Sequence, residues 1–189
     1  MKSFKFHGFK EKGPMNTTKA VEIAKNFCEI QDITSLLVAS TTGTTIQKVV
    51  QIFDPQKYQI ICITHNYYFK RNKKQTFPEK LKTELQKQGI RFVQGTLAFS
   101  GVESAVLRKF NQFNAISLFS KLTRILIGDG VKVALEMPLM AVDAGAVEMG
   151  ENVCTLSGTG RGADTVCWLQ AASSRYFEDL RLKAIIAKP

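Results

Sequence analysis

Two stretches of this 189-residue chain carry more glycine and hydroxyl groups than a turn requires. The first is Ser40, Thr41, Thr42, Gly43, Thr44 and Thr45; the second is Ser157, Gly158, Thr159, Gly160, Arg161, Gly162, Ala163 and Asp164. Each follows directly on a short apolar run. Free backbone N–H groups at a helix start, backed by hydroxyl donors and the positive end of the helix dipole, suit a phosphate. A helix cap needs one hydroxyl, whereas the first stretch has five, and Gly43 would let the backbone approach an anion closely. The second stretch could form a backbone nest for an anion, with Arg161 as a forked donor. As G-x-G-x-x-A it fits a loose dinucleotide fingerprint. That assignment fails because an extended segment follows where a helix is required.

His65 ends another apolar run and is followed by Asn66. As a general base it would need a nucleophile partner, which no spacing identifies, so a hydrogen-bonding or ligand-stacking role is expected and the catalytic residues stay unknown. An enzyme using His65 with Ser40 or Asp164 is the weakest reading. The chain has no G-x-x-x-x-G-K-[ST] cradle and no G-x-S-x-G elbow. Glu136 and Asp143 sit seven residues apart on one apolar helix, where a salt bridge or a capping contact is the better expectation, with Lys132 at i,i+4 from Glu136.

The elements that must position these groups alternate between helical and extended periods, the mark of an α/β domain. Asn16 or Thr17 can cap a helix with Ala20, Val21, Ala24, Phe27 and Cys28 on one stripe. Residues 36–39, 60–63, 90–93 and 153–156 read as strands buried on both faces. Ile46, Val49, Val50 and Phe53 open a helix in or just after the first loop. Thr76 with Glu79 reads as a capping box for a helix closed by Gly89. Residues 100–128 read as helical, with Val102, Val106, Phe110 and Phe113 before Leu118, Leu122 and Ile125; residues 131–146 read as a buried helix. Residues 165–171 are extended, and Leu182, Ala184 and Ile186 alternate as a final edge strand.

Length suits one domain, residues 1–189. Apolar residues make up 44% and charged residues 22%, which excludes disordered and membrane-spanning classes. Residues 1–14 carry four lysines without an apolar core, so no secretory signal is read and a cytoplasmic protein is expected. Cys28, Cys62, Cys154 and Cys167 stand singly in apolar segments, which favours buried free thiols over a metal or disulfide role. The net charge of +10 is concentrated in residues 69–91, with eight basic residues against two acidic. A solvated basic face is the expectation there; nucleic acid is disfavoured without an aromatic ladder or a motif.

Seven blocks together resemble a family of stand-alone archaeal and bacterial-type proteins similar to the C-terminal α/β domain of pyruvate kinase. They are GPMNT at 13–17, LVASTTGTT at 37–45, ITHNYYF at 63–69, FSGVE at 99–103, GDGVKVALEMPLMAVDAG at 128–145, SGTGRGADT at 157–165 and AIIAKP at 184–189. The resemblance implies a three-layer α/β/α fold on a mixed sheet of order 3-2-1-4-5 with strand 5 antiparallel. It implies that the two loops face each other across the crevice at the strand carboxyl ends. Flavin mononucleotide (FMN) is the implied cofactor, without kinase activity, since the catalytic residues of pyruvate kinase lie in its barrel domain. Tyr67 and Tyr68 stand where relatives have a small, glycine-containing stretch; Leu97 and Ser104 stand where they usually have His and Arg. The leading expectation is a phosphorylated-ligand binding protein, and homo-oligomerisation is open. The alternatives are a regulatory module for a sugar phosphate or a protein partner, and a flavin-dependent enzyme of unknown reaction.

Overall fold

A computed structural model describes residues 3–189. The elements run β1 (His7–Gly8), α1 (Thr17–Gln31), β2 (Ser35–Ala39), α2 (Thr44–Val49), β3 (Gln59–His65), α3 (Glu79–Lys87), β4 (Arg91–Gly95), α4 (Val102–Phe110), α5 (Ala115–Leu126), α6 (Asp129–Asp143), β5 (Asn152–Ser157), β6 (Thr165–Gln170) and β7 (Arg181–Lys188). The fold is α/β, with one mixed sheet of order β1-β7-β6-β5-β2-β3-β4. Five consecutive strands, β4-β3-β2-β5-β6, have the expected 3-2-1-4-5 order, with β4 at the sheet edge. β2 to β5 are parallel and β6 is antiparallel to β5.

The last strand departs from expectation. β7 pairs antiparallel with β6, but its end is covered by β1, where His7 and Gly8 lie opposite Ala187 and Lys188. A two-residue strand has no alternation to read.

Continuous apolar runs form the parallel strands because both sheet faces are covered. Leu36, Val38, Ile60 and Cys62 pack with Phe27 of α1, Ile46 and Val49 of α2, and Leu85 of α3. Leu37, Ile61, Ile63 and Val153 pack on the other face against Val131, Ala134 and Met137 of α6. The four cysteines are buried and free.

The capping box at Thr76 does not form. α3 starts at Glu79 after Pro78, and the Thr76 hydroxyl instead donates to the Thr41 carbonyl at 3.0 Å, tying α3's approach segment to the first loop. The segment 100–128 divides into two helices, because Asn111 ends α4 in a left-handed conformation and Asn114 opens α5 with a reciprocal capping box to Ser117. Glu136 is paired with Lys132, and Asp143 accepts from the amide and hydroxyl of Ser174. These are the salt-bridge and capping roles their spacing suggested.

Candidate functional site at the carboxyl ends of the strands

β2 and β5 are adjacent and parallel, with Val38 opposite Leu156, so the loops 40–45 and 157–164 leave the sheet side by side at one end. Their chemistry differs. The second loop connects the antiparallel pair β5 and β6, and several of its polar groups bond within the chain. The fully buried Asp164 carboxylate accepts from the amides of Gly13 at 2.9 Å and Thr159 at 3.2 Å and from the Thr165 hydroxyl at 2.8 Å. The Ser157 hydroxyl donates to the Gly130 carbonyl at 2.7 Å, and the Ala163 amide donates to Thr17 Oγ1 at 3.0 Å. Gly162, at φ +74, leaves no room for a side chain, since a Cβ there would lie 2.4 Å from Thr17 Oγ1 and 2.6 Å from Pro14 Cα.

Asp164, Ala163 and Ser157 thus tie the loop to the start of α1 and to α6, while among the described residues the amides of Gly158, Gly160 and Gly162, in the stretch Gly158, Thr159, Gly160, Arg161 and Gly162 expected to form an anion nest, have no protein acceptor. Arg161 is exposed.

The first loop is different. Ser40 is buried, and its Oγ accepts from the Ile46 amide at 3.4 Å; Thr45 is buried, while Thr42 and Thr44 are exposed with their hydroxyls 3.4 Å apart. Among the described residues, the Ser40 amide donates to the Ile63 carbonyl, but the five amides from Thr41 to Thr45 have no protein acceptor. Five successive N–H groups therefore remain free beside two exposed hydroxyls. Gly43, where a close approach to an anion is expected, meets protein on its Cβ side. Its φ is +93, and a Cβ would lie 2.3 Å from Leu81 Cδ2, so protein from α3 fills the space beside it.

Next to this loop a narrow cleft of about 60 Å³ is lined by Ala39, Ser40 and Thr41, by Thr64, His65 and Leu97, and by Val133, Glu136, Met137 and Met140 of α6. His65 and Glu136 each bring a buried polar atom with no hydrogen-bond partner, Nδ1 and Oε2. Glu136 is 0% exposed; its other oxygen accepts from Lys132 Nζ at 2.5 Å and from the Phe99 amide at 2.8 Å. Such orphaned atoms are costly, roughly 1–3 kcal/mol each and more for a charged group. A second orphan pair, Thr64 Oγ1 and Gln94 Nε2, belongs to residues opposite each other in the β3–β4 ladder, on the sheet face that carries α3.

Burial, and then the charge of Lys70, hold the His65 imidazole below its ordinary pKa, which favours the neutral ring. The ring stacks on Phe69, with centroids 3.8 Å apart. Asn66 turns its side-chain amide onto the Tyr67 carbonyl at 3.0 Å. Burial likewise pulls Lys132 down, against the opposing pull of Glu136; its Nζ also donates to Ser100 Oγ at 3.0 Å. The eight basic residues of segment 69–91 are not among those lining the cleft.

Glu136 is the candidate site residue whose place in the cleft spacing did not reveal. Its pairing with Lys132 was legible, but the free second oxygen and the cleft beneath it were not.

No family model matches the sequence. Among solved structures, Cryptosporidium parvum pyruvate kinase in complex with ADP aligns with 96% of this chain and 25% of its own, at 11% identity and a TM-score of 0.42. The chain thus spans about a quarter of that enzyme's length. Among the described residues, no helix is long and apolar enough to cross a membrane.

Proposed function

We propose that the protein binds a phosphorylated small molecule at the carboxyl ends of β2 and β3. The phosphate lies on the free amides of Thr41, Thr42, Gly43, Thr44 and Thr45, and a hydroxyl- or N–H-bearing part enters the cleft to reach Glu136 Oε2 and His65 Nδ1. The observation that carries this reading is the unpartnered, fully buried Glu136 oxygen in the wall of a cleft that adjoins the free-amide loop. A carboxylate oxygen accepts hydrogen bonds and repels phosphate, so the two halves of the ligand must differ in chemistry.

FMN meets that description through its hydroxylated ribityl chain, and so does a sugar phosphate. Drug-sized ligands occupy about 300–1,000 Å³, so a flavin ring would lie outside the cleft of about 60 Å³, toward the exposed Tyr67 and Tyr68. A regulatory module for a sugar phosphate is the second reading, favoured by the same small volume.

Thermal unfolding and calorimetry with FMN, ribose 5-phosphate, riboflavin and inorganic phosphate test the proposal. FMN or ribose 5-phosphate should raise the melting temperature, and riboflavin, which lacks the phosphate, should not. Glu136→Gln should weaken that binding by about tenfold or more, as expected for a charge-assisted hydrogen bond. Thr44→Asp, at an exposed first position of α2, should leave folding intact and repel the phosphate. Wild-type protein unmoved by every phosphorylated compound, or a Thr44→Asp variant that binds as before, would overturn the reading.

A further inference from the structure

Helix α5 is built inside out. Its buried positions are Ser117, Ser120 and Thr123, on the side where α5 packs against α6. Its exposed positions include Leu118, Phe119, Leu122, Ile125 and Leu126, between 45% and 75% exposed. At 100° per residue these five fall on one stripe opposite the Ser/Thr stripe. Phe113, 51% exposed, extends the stripe, since Lys121 Nζ lies 4.9 Å from its ring centroid. An ordinary surface helix presents the reverse pattern, with its apolar stripe to the core. Here the small residues let α5 lie against α6, and the large apolar ones are left 45% to 75% exposed, with Phe119 meeting Phe99 edge to face.

We infer that this face is the interface through which two copies of the chain associate, with α5 packed antiparallel on its two-fold mate. Three observations select a second copy. Six side chains of roughly 200 Å² each, 45% to 75% exposed, present roughly 650 Å² of apolar surface, slightly more than a monomer's usual largest patch and near the ~800 Å² per partner of a standard interface. The spacing of Leu118, Leu122 and Ile125, and of Phe119, Leu122 and Leu126, gives steps of four and three residues that suit a helix–helix seam, and an isologous contact requires a patch complementary to itself. The cations flanking the stripe are already engaged: Arg124 is paired with Asp129, and Lys121 lies over Phe113. Both cations of α5 itself are thus engaged, and neither marks the partner as acidic or as an anionic surface.

Sedimentation velocity over a range of chain concentrations tests this, because interfaces of this size have affinities from micromolar to picomolar. The wild type should sediment as a dimer at about 10 µM. Leu122→Glu with Ile125→Glu should make it monomeric at the same concentration, a loss of self-affinity of at least about thirtyfold per buried charge. Both positions are exposed in the protomer, so the variant should keep the wild-type circular dichroism. Tyr68→Ala, at an exposed position away from α5, should leave the dimer intact. A wild type that is monomeric up to about 100 µM overturns the inference; so does a dimer that survives both glutamates. Monomeric protein that co-sediments with phosphatidylserine vesicles would also overturn it, in favour of a membrane surface as the occupant. None of these readouts involves the phosphorylated ligand, so failure here leaves the binding reading standing.

Discussion

The backbone amide of Phe99 donates to Glu136 Oε1 at 2.8 Å, linking the segment after β4 to the buried helix α6. Lys132 Nζ uses the same oxygen, so two donors converge on Oε1 while Oε2 has none. Phe99 in turn meets Phe119 of α5 edge to face, with ring centroids 5.2 Å apart. The wall of the cleft and the apolar stripe of α5 are thus joined through one residue, Phe99.

The buried Lys132–Glu136 pair should behave as a unit. Lys132→Met alone should cost about 3–5 kcal/mol, because it strands a carboxylate in the core, whereas Lys132→Met with Glu136→Leu should recover much of that loss. Urea unfolding of the four members of the cycle measures the coupling. A double variant as unstable as the single one would show that Phe99's contact with Glu136, and not the ion pair, dominates.

Gly43→Ala should act on folding. It places a side chain in left-handed backbone, which costs about 1–2 kcal/mol, and drives Leu81 out of its position for about 1–3 kcal/mol more. Adding Leu81→Ala should relieve the steric part and leave the backbone part. Chemical denaturation of both variants separates the two contributions.

Asp164→Asn keeps the shape but withdraws the charge from three donors, the amides of Gly13 and Thr159 and the hydroxyl of Thr165. A loss of about 2–3 kcal/mol is expected. Faster hydrogen exchange at Gly13 and Thr159 should accompany it, since both amides lose a charged acceptor.

His65 makes stability depend on pH. Its folded pKa lies below the ordinary 6.5, so the folded state takes up its proton less readily than the unfolded chain. The contribution is present above pH 6.5 and is lost as pH falls through the lower folded value. His65→Gln should flatten that part of the stability–pH profile, measured as denaturant midpoints at low salt, where the effect of Lys70 is screened least.

Local periodicity carried much of the fold. The buried strands read from 36–39, 60–63, 90–93 and 153–156 fall on β2 to β5, with Ile90 just ahead of β4, and the extended reading of residues 165–171 excluded a dinucleotide loop, as β6 bears out. Short-range composition failed where a distant group intervened. Thr76 has the residue type and spacing of a cap, yet the Thr41 carbonyl, 35 positions away, holds its hydroxyl. The stripe in α5 was visible as Leu118, Leu122 and Ile125, but periodicity cannot say whether an apolar face turns inward or outward.

The amino-acid order by itself determined the secondary elements, the two hydroxyl-rich loops and the i,i+4 pairing on α6, because each depends on neighbours within a few residues. Tertiary structure decided which of those polar groups are spent and which are left open. Asp164 fills its own loop by reaching Gly13, 151 positions earlier, and Ala163 reaches Thr17 across 146. Whether a buried donor or acceptor finds a partner depends on every segment folded around it, so the free oxygen of Glu136 and the uncovered face of α5 exist only once the chain has packed.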